Sequence, residues 1–455
     1  MRKAYDITEY GVVSSRDILQ TEKIQAVIDR CYLDGGGEVH FPAGEFLTGG
    51  LILRSHVCLY FESGAKLYGI RDCEQYDSFR DDTITPLPHD QIRDIPTFVH
   101  PYLPGGLECE HAKYAGTRWH HALIRADYAE DIAIIGEEGS YIDGCDCYDE
   151  LGEENYRGPH AIGLWKCRNI RLLGYTVRNS ANWAHAIFMS ENIVAQGITV
   201  LAGHDGIHLR NCTNAVIRDC VFHTGDDCIA GNGNTNLLVD SCLLNSSCSA
   251  FRLGCTNALI TRTKAYGPGE YYFRGGLTKE AKINGDQPKE EIGGRNNMLS
   301  FFTYYSDRIL PAPYLSGQIH IVDCEVRNAD RFIHYNFSGK EPWQEVTPME
   351  SISFSNVTAE GIRLPLTVYG DKEIPVLFLM ENCKLSFRED IGPTPSFHIC
   401  NVKEFALENV EIHNCSDAPL IKSWQKDPEI RLRDVSCDQI KDAVFTEEAY
   451  ICEAI

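Results

Sequence analysis

NIRLLGYTV at 169–177, NIVAQGITV at 192–200, NAVIRDCVF at 214–222, NLLVDSCLL at 236–244 and NALITRTKA at 257–265 are five versions of one phrase. Each opens on asparagine, and the asparagines are spaced 23, 22, 22 and 21 residues apart. β-branched and aliphatic residues alternate with polar ones inside each phrase, the period of a strand with one buried face. A repeat in the low twenties with strand alternation is one coil of a parallel β-solenoid. Leucine-rich repeats share the period but need a regular leucine ladder, which is absent here. The recurrent asparagine suits a left-handed turn position, or an amide ladder running from coil to coil. Related runs follow without strict period at 318–326, 351–359, 376–385, 404–412 and 429–437. The expected fold is therefore all-β, a right-handed parallel β-helix occupying 1–455 as a single domain.

The flanks of the repeat add detail. In TEKIQAVIDRCYLDGGG, Ile24, Val27 and Ile28 have helical spacing, and Gly35-Gly36-Gly37 ends the helix. It is expected to cap the open end of the solenoid, within an N-terminal region of cap and first coils at 1–70. Two polar stretches bearing Pro and Gly, 73–121 and 264–316, are expected to be long loops. On a rigid coil such loops supply substrate walls.

Bulk properties narrow the function. The 455 residues carry a formal net charge of −23, which argues against nucleic acid or an anionic membrane as partner. No run is long and apolar enough for a signal peptide or a transmembrane helix, so the expected location is cytoplasmic. Nineteen cysteines without a secretory signal read as buried free thiols. Cys145 and Cys147 have no second pair to complete a zinc site.

The chemistry resides in LAGHDGIHLRNCTN and VFHTGDDCIAGNGNTN. Asp205 lies nine residues before Asn214, and Asp227 nine before Asn236. The two acids hold the same place on successive coils, about 4.8 Å apart, with Asp226 beside them. Three carboxylates so close repel, so at least one pKa should rise and leave an acid next to ionised partners. Hydrolysis of a glycosidic bond uses that arrangement. The alternatives are a solvent-facing acidic ladder or a Ca²⁺ site.

The same residues resemble a known family. GDDCIA at 225–230, DGI at 205–207, GSYIDG at 139–144, NSANWAHAI at 179–187 and the entry segment at 35–67 are similar to glycoside hydrolase family 28, the polygalacturonases. The resemblance covers roughly 4–260. It implies Asp226 as general acid, Asp205 and Asp227 as the pair that deprotonates water, inversion at the anomeric carbon, and no metal or organic cofactor. The chain departs from the family in four places. Gly203-His204-Asp205 replaces Asn-Thr-Asp, and Cys248-Ser249-Ala250 replaces Gly-His-Gly. Asn232 stands where many bacterial members have Lys, and Arg331-Phe332-Ile333-His334 where Arg-Ile-Lys is usual. Arg252, Arg274 or Arg331 could supply the cation that a uronate carboxylate wants, and His204 or His208 the missing histidine. Ser249, Asn232, Arg157, His160, Asn182, Trp183 and His185 complete the substrate-binding candidates, with Trp183 as a stacking platform.

The expectation is an exo-acting inverting hydrolase of pectin-derived oligosaccharides. Three other functions compete with it: a rhamnogalacturonan, rhamnoside or other neutral-glycoside hydrolase, a polysaccharide lyase or sugar epimerase, and a non-catalytic carbohydrate-binding solenoid. An exposed solenoid edge also invites homo-oligomers.

Overall fold

In the computed structural model, the described residues are 3–79, 118–152, 156–274, 280–281, 298–306, 312–339, 341, 343–344, 346–389, 394–413, 418–437 and 444–446. They are mostly strands, nearly all paired in parallel, and the chain has the right-handed parallel β-helix fold. By internal packing the chain falls into two units. The first is Met1–Ala215, Asp219–Asp226 and Tyr271–Arg295; the second is Val216–Arg218, Asp227–Glu270 and Asn296–Ile455.

In the first unit each coil gives a strand to three parallel stacks. Glu130–Gly136, Arg168–Leu173 and Glu191–Gln196 form one, with Ile132, Ile170 and Ile193 in register. Tyr141–Asp143, Thr176–Arg178, Thr199–Ala202 and Val221–Thr224 form the second. The third holds His160–Trp165, His185–Phe188 and Ile207–Arg210. A right-handed crossover is the sense in which twisted parallel strands pack back onto their own sheet. Identical apolar residues therefore stack up the core: Ile170 and Ile193 are each about fully buried, each contributing roughly 2 kcal/mol of apolar transfer.

The asparagines occupy the left-handed region, as the repeat predicted. Asn169, Asn192 and Asn214 have φ of 56°, 56° and 58°, and each donates its side-chain N–H one coil back. Asn169 donates to Asp131 Oδ1 at 2.8 Å, Asn192 to Asn169 at 3.0 Å and Asn214 to Asn192 at 3.1 Å. The amide satisfies a turn that an aliphatic side chain would strain. The helix Thr21–Leu33 buries Ile24, Val27, Ile28 and Cys31 against Gly37–Phe41 and Leu51–Ile52. Gly36, at φ 97°, lets the chain leave it: a Cβ there would stand 2.4 Å from the His56 carbonyl oxygen.

The second unit repeats the design with another filling. Ser249–Thr261, Gly317–Val322, Ser351–Ser355, Val376–Phe387, Val402–His413 and Ile430–Cys437 pair in sequence. So do Met298–Tyr304, Ala329–Asn336, Leu366–Tyr369, Phe397–Cys400 and Ile421–Ser423. Phe301, Phe332, Phe354, Phe378 and Phe405 stack through this core at ring separations of 4.9 to 5.7 Å. Asn257 donates to Asn236 and Asn409 to Asn382, continuing the ladder motif within this unit.

Two expectations need correction. The stretch 264–316 is not one loop, because the strands Lys264–Tyr266 and Met298–Tyr304 lie inside it. Both add apolar side chains to the core, Ala265 and Phe302 among them, which the surrounding Gly and polar residues masked. Most of 73–121 lies outside the described residues; its ends carry the strand Asp77–Ser78 and a short helix at Arg118–His120. Among the described residues fifteen cysteines are free thiols, twelve of them buried, but Cys437 is disulfide-bonded. Among the described residues no helix is long and apolar enough to cross a membrane.

Candidate active site

Asp205 sits in the turn between Thr199–Ala202 and Ile207–Arg210, and Asp226 in the equivalent turn after Val221–Thr224. Strand register alone brings these turns together, and the carboxylates of Asp205 and Asp226 lie within 4.8 Å of each other. Asp227 is the next residue in the chain. Both turns are tightly held. His185 Nδ1–H donates to the Gly206 carbonyl at 2.9 Å. Thr224 Oγ1 donates to the Asp226 carbonyl at 2.7 Å.

The glycines that open the two aspartate turns have a physical reason. A Cβ at Gly203 would fall 1.7 Å from Arg274 Cγ, and one at Gly225 would fall 2.0 Å from the Tyr272 carbonyl oxygen. The segment Tyr271–Arg274 thus lies directly on both aspartate turns, fastened by Arg274 N–H to the Gly203 carbonyl at 3.0 Å. Phe273 meets His204 edge-on at 6.3 Å.

Around the first two aspartates the unit gathers His204, His208, Asn182, Trp183 and Arg157. His208 Nδ1 is 2.7 Å from Asp205 Oδ2. Arg157 Nη2 is 3.6 Å from Asp226 Oδ2. Its Nη1 donates to Asn182 Oδ1 at 3.1 Å, and its guanidinium lies 5.4 Å from the Trp119 ring centre. In the second unit Asp227 Oδ1 accepts from the Ser249 backbone N–H at 3.1 Å. Asp227 Oδ2 is 3.7 Å from Arg252 Nη1. Tyr305 and Trp343 both flank that guanidinium, at 4.4 and 4.7 Å from their ring centres. An arginine thus stands beside Asp226 and another beside Asp227, each within its own unit.

Several candidates are also engaged in scaffold contacts. Trp183 is not a bare platform: its ring is covered by the His208 imidazole at 3.7 Å and 6°. His185 is fully buried between Tyr175 Oη at 3.0 Å and Gly206, and burial lowers its pKa to about 4. The carbonyl can only accept, so Nδ1 carries the proton and Nε2 accepts from the tyrosine. His160 is equally buried, directs Nε2 at the Trp119 carbonyl at 2.9 Å, and has its pKa pushed well down by burial. Ser249 serves Asp227 through its backbone rather than its hydroxyl. Asn232 is buried in the strand Ile229–Asp240. Arg274 forms an ion pair with Asp146, so its charge is already matched on one side. Arg331 enters its strand opposite Ser300. Sequence reasoning missed Arg210, Trp119, Tyr305, Trp343 and Phe273; only Arg210 left a signal, since it shares the strand face of His208 two residues on.

Residues 111–248 match glycosyl hydrolases family 28. A probable polygalacturonase of Vitis vinifera is 30% identical over 237 residues, 49% of this chain and 43% of the relative. An exo-poly-alpha-D-galacturonosidase of Dickeya chrysanthemi is 26% identical over 279 residues, 50% of this chain and 41% of the relative. The chain spans less than half the length of these curated relatives. Among solved structures, a hyperthermoactive exopolygalacturonase from Thermotoga maritima superposes with TM-score 0.63 at 16% identity, covering 90% of this chain and 92% of that one. The family 28 exopolygalacturonase of Yersinia enterocolitica gives 0.58 at 16% identity, covering 97% and 78%. At such identities the structures speak for the fold. The match to glycosyl hydrolases family 28 spans all three aspartates, and over that stretch the chain is similar to polygalacturonases.

Proposed function

We propose that the chain is a glycoside hydrolase that removes galacturonate units from the ends of pectin-derived oligosaccharides. The observation that carries this reading is the approach of Asp205 and Asp226 from successive coils to within 4.8 Å, with Asp227 adjoining. Asp226 protonates the leaving oxygen as the glycosidic bond breaks. Asp205 and Asp227 hold water and take its proton as it attacks the anomeric carbon. Arg252, its face fixed between two rings and its charge permanent, receives the substrate carboxylate. The Tyr271–Arg274 segment lying on the aspartate turns supports attack at a chain end.

One observation favours a second reading of the stereochemistry. Retaining enzymes hold their carboxyl groups about 5–5.5 Å apart and inverting ones about 6.5–9.5 Å, and the spacing here is short. In a group of three acids, however, a close pair can share one water, and we propose inversion. Incubation with tri- and tetragalacturonate, followed at once by proton NMR of the new anomer, tests both points. Monomer released with inverted configuration is expected. Retained configuration selects the covalent route. No release from any uronate, with turnover of a neutral glycoside instead, removes the substrate assignment.

A further inference from the structure

His208 can carry its single ring proton on either nitrogen, and its neighbours decide which. Arg210 Nε lies 3.0 Å from His208 Nε2. A guanidinium donates only and stays protonated in proteins, so His208 Nε2 accepts and the ring proton sits on Nδ1. That proton points at Asp205 Oδ2, 2.7 Å away. The donor order therefore runs from Arg210 through His208 to Asp205. A second proton on His208 would set N–H against N–H at 3.0 Å beside a permanent cation, which both geometry and charge oppose.

The arrangement is locked on its other sides. Trp183 covers the imidazole face at 3.7 Å. The Arg210 guanidinium lies 5.4 and 5.6 Å from the ring centres of Trp183 and Phe188. Arg210, His208 and Asp205 are 4%, 2% and 3% exposed, so water does not compete for these bonds. Among the described residues of its unit, the charged groups placed against His208 are Asp205 and Arg210. On the preceding coil it meets uncharged Trp183 and, in strand register, Ala186.

We propose that Arg210 is a positioning residue. It fixes His208 as a neutral Nδ1–H donor, so that Asp205 is oriented by a hydrogen bond yet meets water as a full carboxylate. An imidazolium in the same place would donate to Asp205 too, but its charge would weaken the base. This step rests on the hydrolase reading for its consequence, though not for its existence.

The test has an arm for each. Long-range ¹⁵N–¹H spectra of the intact chain should show His208 as the Nδ1–H tautomer, unchanged from pH 8 to 5. Arg210→Met should give a His208 that titrates near the ordinary value of about 6.5. On oligogalacturonate, Arg210→Met should lower kcat by about 100-fold below that pH, within the 10²–10⁴ a positioned acid or base contributes, with KM nearly unmoved. Arg210→Lys should keep the pH profile of the parent. His208→Gln, which can accept from Arg210 and donate to Asp205 without titrating, should recover most of the rate lost in His208→Ala. A parent His208 that is Nε2–H, or that titrates between pH 5 and 7, overturns the proposal, as does an Arg210→Met enzyme with parental rate and profile. If Arg210→Met does not fold, the tautomer of the parent and the glutamine rescue decide. A parent that hydrolyses no glycoside refutes the function while the tautomer result stands.

Discussion

Arg157 and Arg252 stand at nearly equal distances from neighbouring aspartates, 3.6 Å from Asp226 and 3.7 Å from Asp227. Their surroundings differ. The Arg157 side chain is 6% exposed and bound to Asn182; that of Arg252 is 23% exposed and flanked by two rings. A buried cation at a carboxylate is part of the electrostatic frame, because removing it leaves a charge stranded. A cation whose face is fixed by aromatics while part of it meets solvent is prepared to accept a ligand. Equal distances thus conceal two surroundings, one closed around the acid and one partly open to solvent.

The comparison can be broken in order of expected effect. If both arginines serve one reaction, Asp226→Asn should lower kcat by about 10²–10⁴ while leaving thermal unfolding and oligosaccharide binding in place. A variant with parental turnover would dissolve the comparison altogether. Arg157→Met should cost about 3 kcal/mol of folding stability, read by denaturant titration, and reduce kcat. Arg252→Met should fold like the parent and raise KM for uronate oligomers by about tenfold, the value of one charge-assisted contact, with little change for methyl-esterified ones. Equal losses on both substrates would make Arg252 part of the frame like its counterpart.

The smallest effect concerns pH and two histidines, buried His185 in one unit and half-buried His398 in the other. Burial brings His185 and His398 down from 6.5 to about 4, with Lys422 assisting at His398. Between those values the unfolded chain binds a proton at each site that the native chain refuses. Stability is therefore full above about pH 6.5 and declines as pH falls toward 4, on the order of 1 kcal/mol per unit per site at most. His398→Gln should flatten its share of that slope, measured as urea midpoints at pH 7 and 4.5, without changing kcat. An unchanged slope would show that His398 titrates normally.

The coils and the pairing of the aspartates were legible because both follow from residues counted along the chain. Asn169, Asn192, Asn214 and Asn236 announce the stack, and two acids, each nine residues before one of the last two of them, announce the site. The second unit was harder: its phenylalanine stack joins rings separated by irregular lengths of chain, so no period shows in the sequence. The partners of the aspartates were harder still. Arg157 reaches Asp226 across 69 residues, and Trp183 meets His208 across 25. Such pairings depend on how turns fold over one another, which residue types alone do not state. For Trp183 and His185 the sequence could not show the packing partners, because an aromatic or imidazole near this coil looks the same whether it faces a sugar or a neighbouring turn.

The asparagine ladder also bears on how such a chain can change length. Each amide bonds only to the coil beside it, so whole coils can be gained or lost at little cost to the others. A single residue added between Asn192 and Asn214 would turn every later side chain in that strand to the opposite face. Growth by entire turns is thus permitted almost everywhere, with one forbidden address. A coil inserted between Asp205 and Asp226 would preserve the fold and part the two acids by a full step.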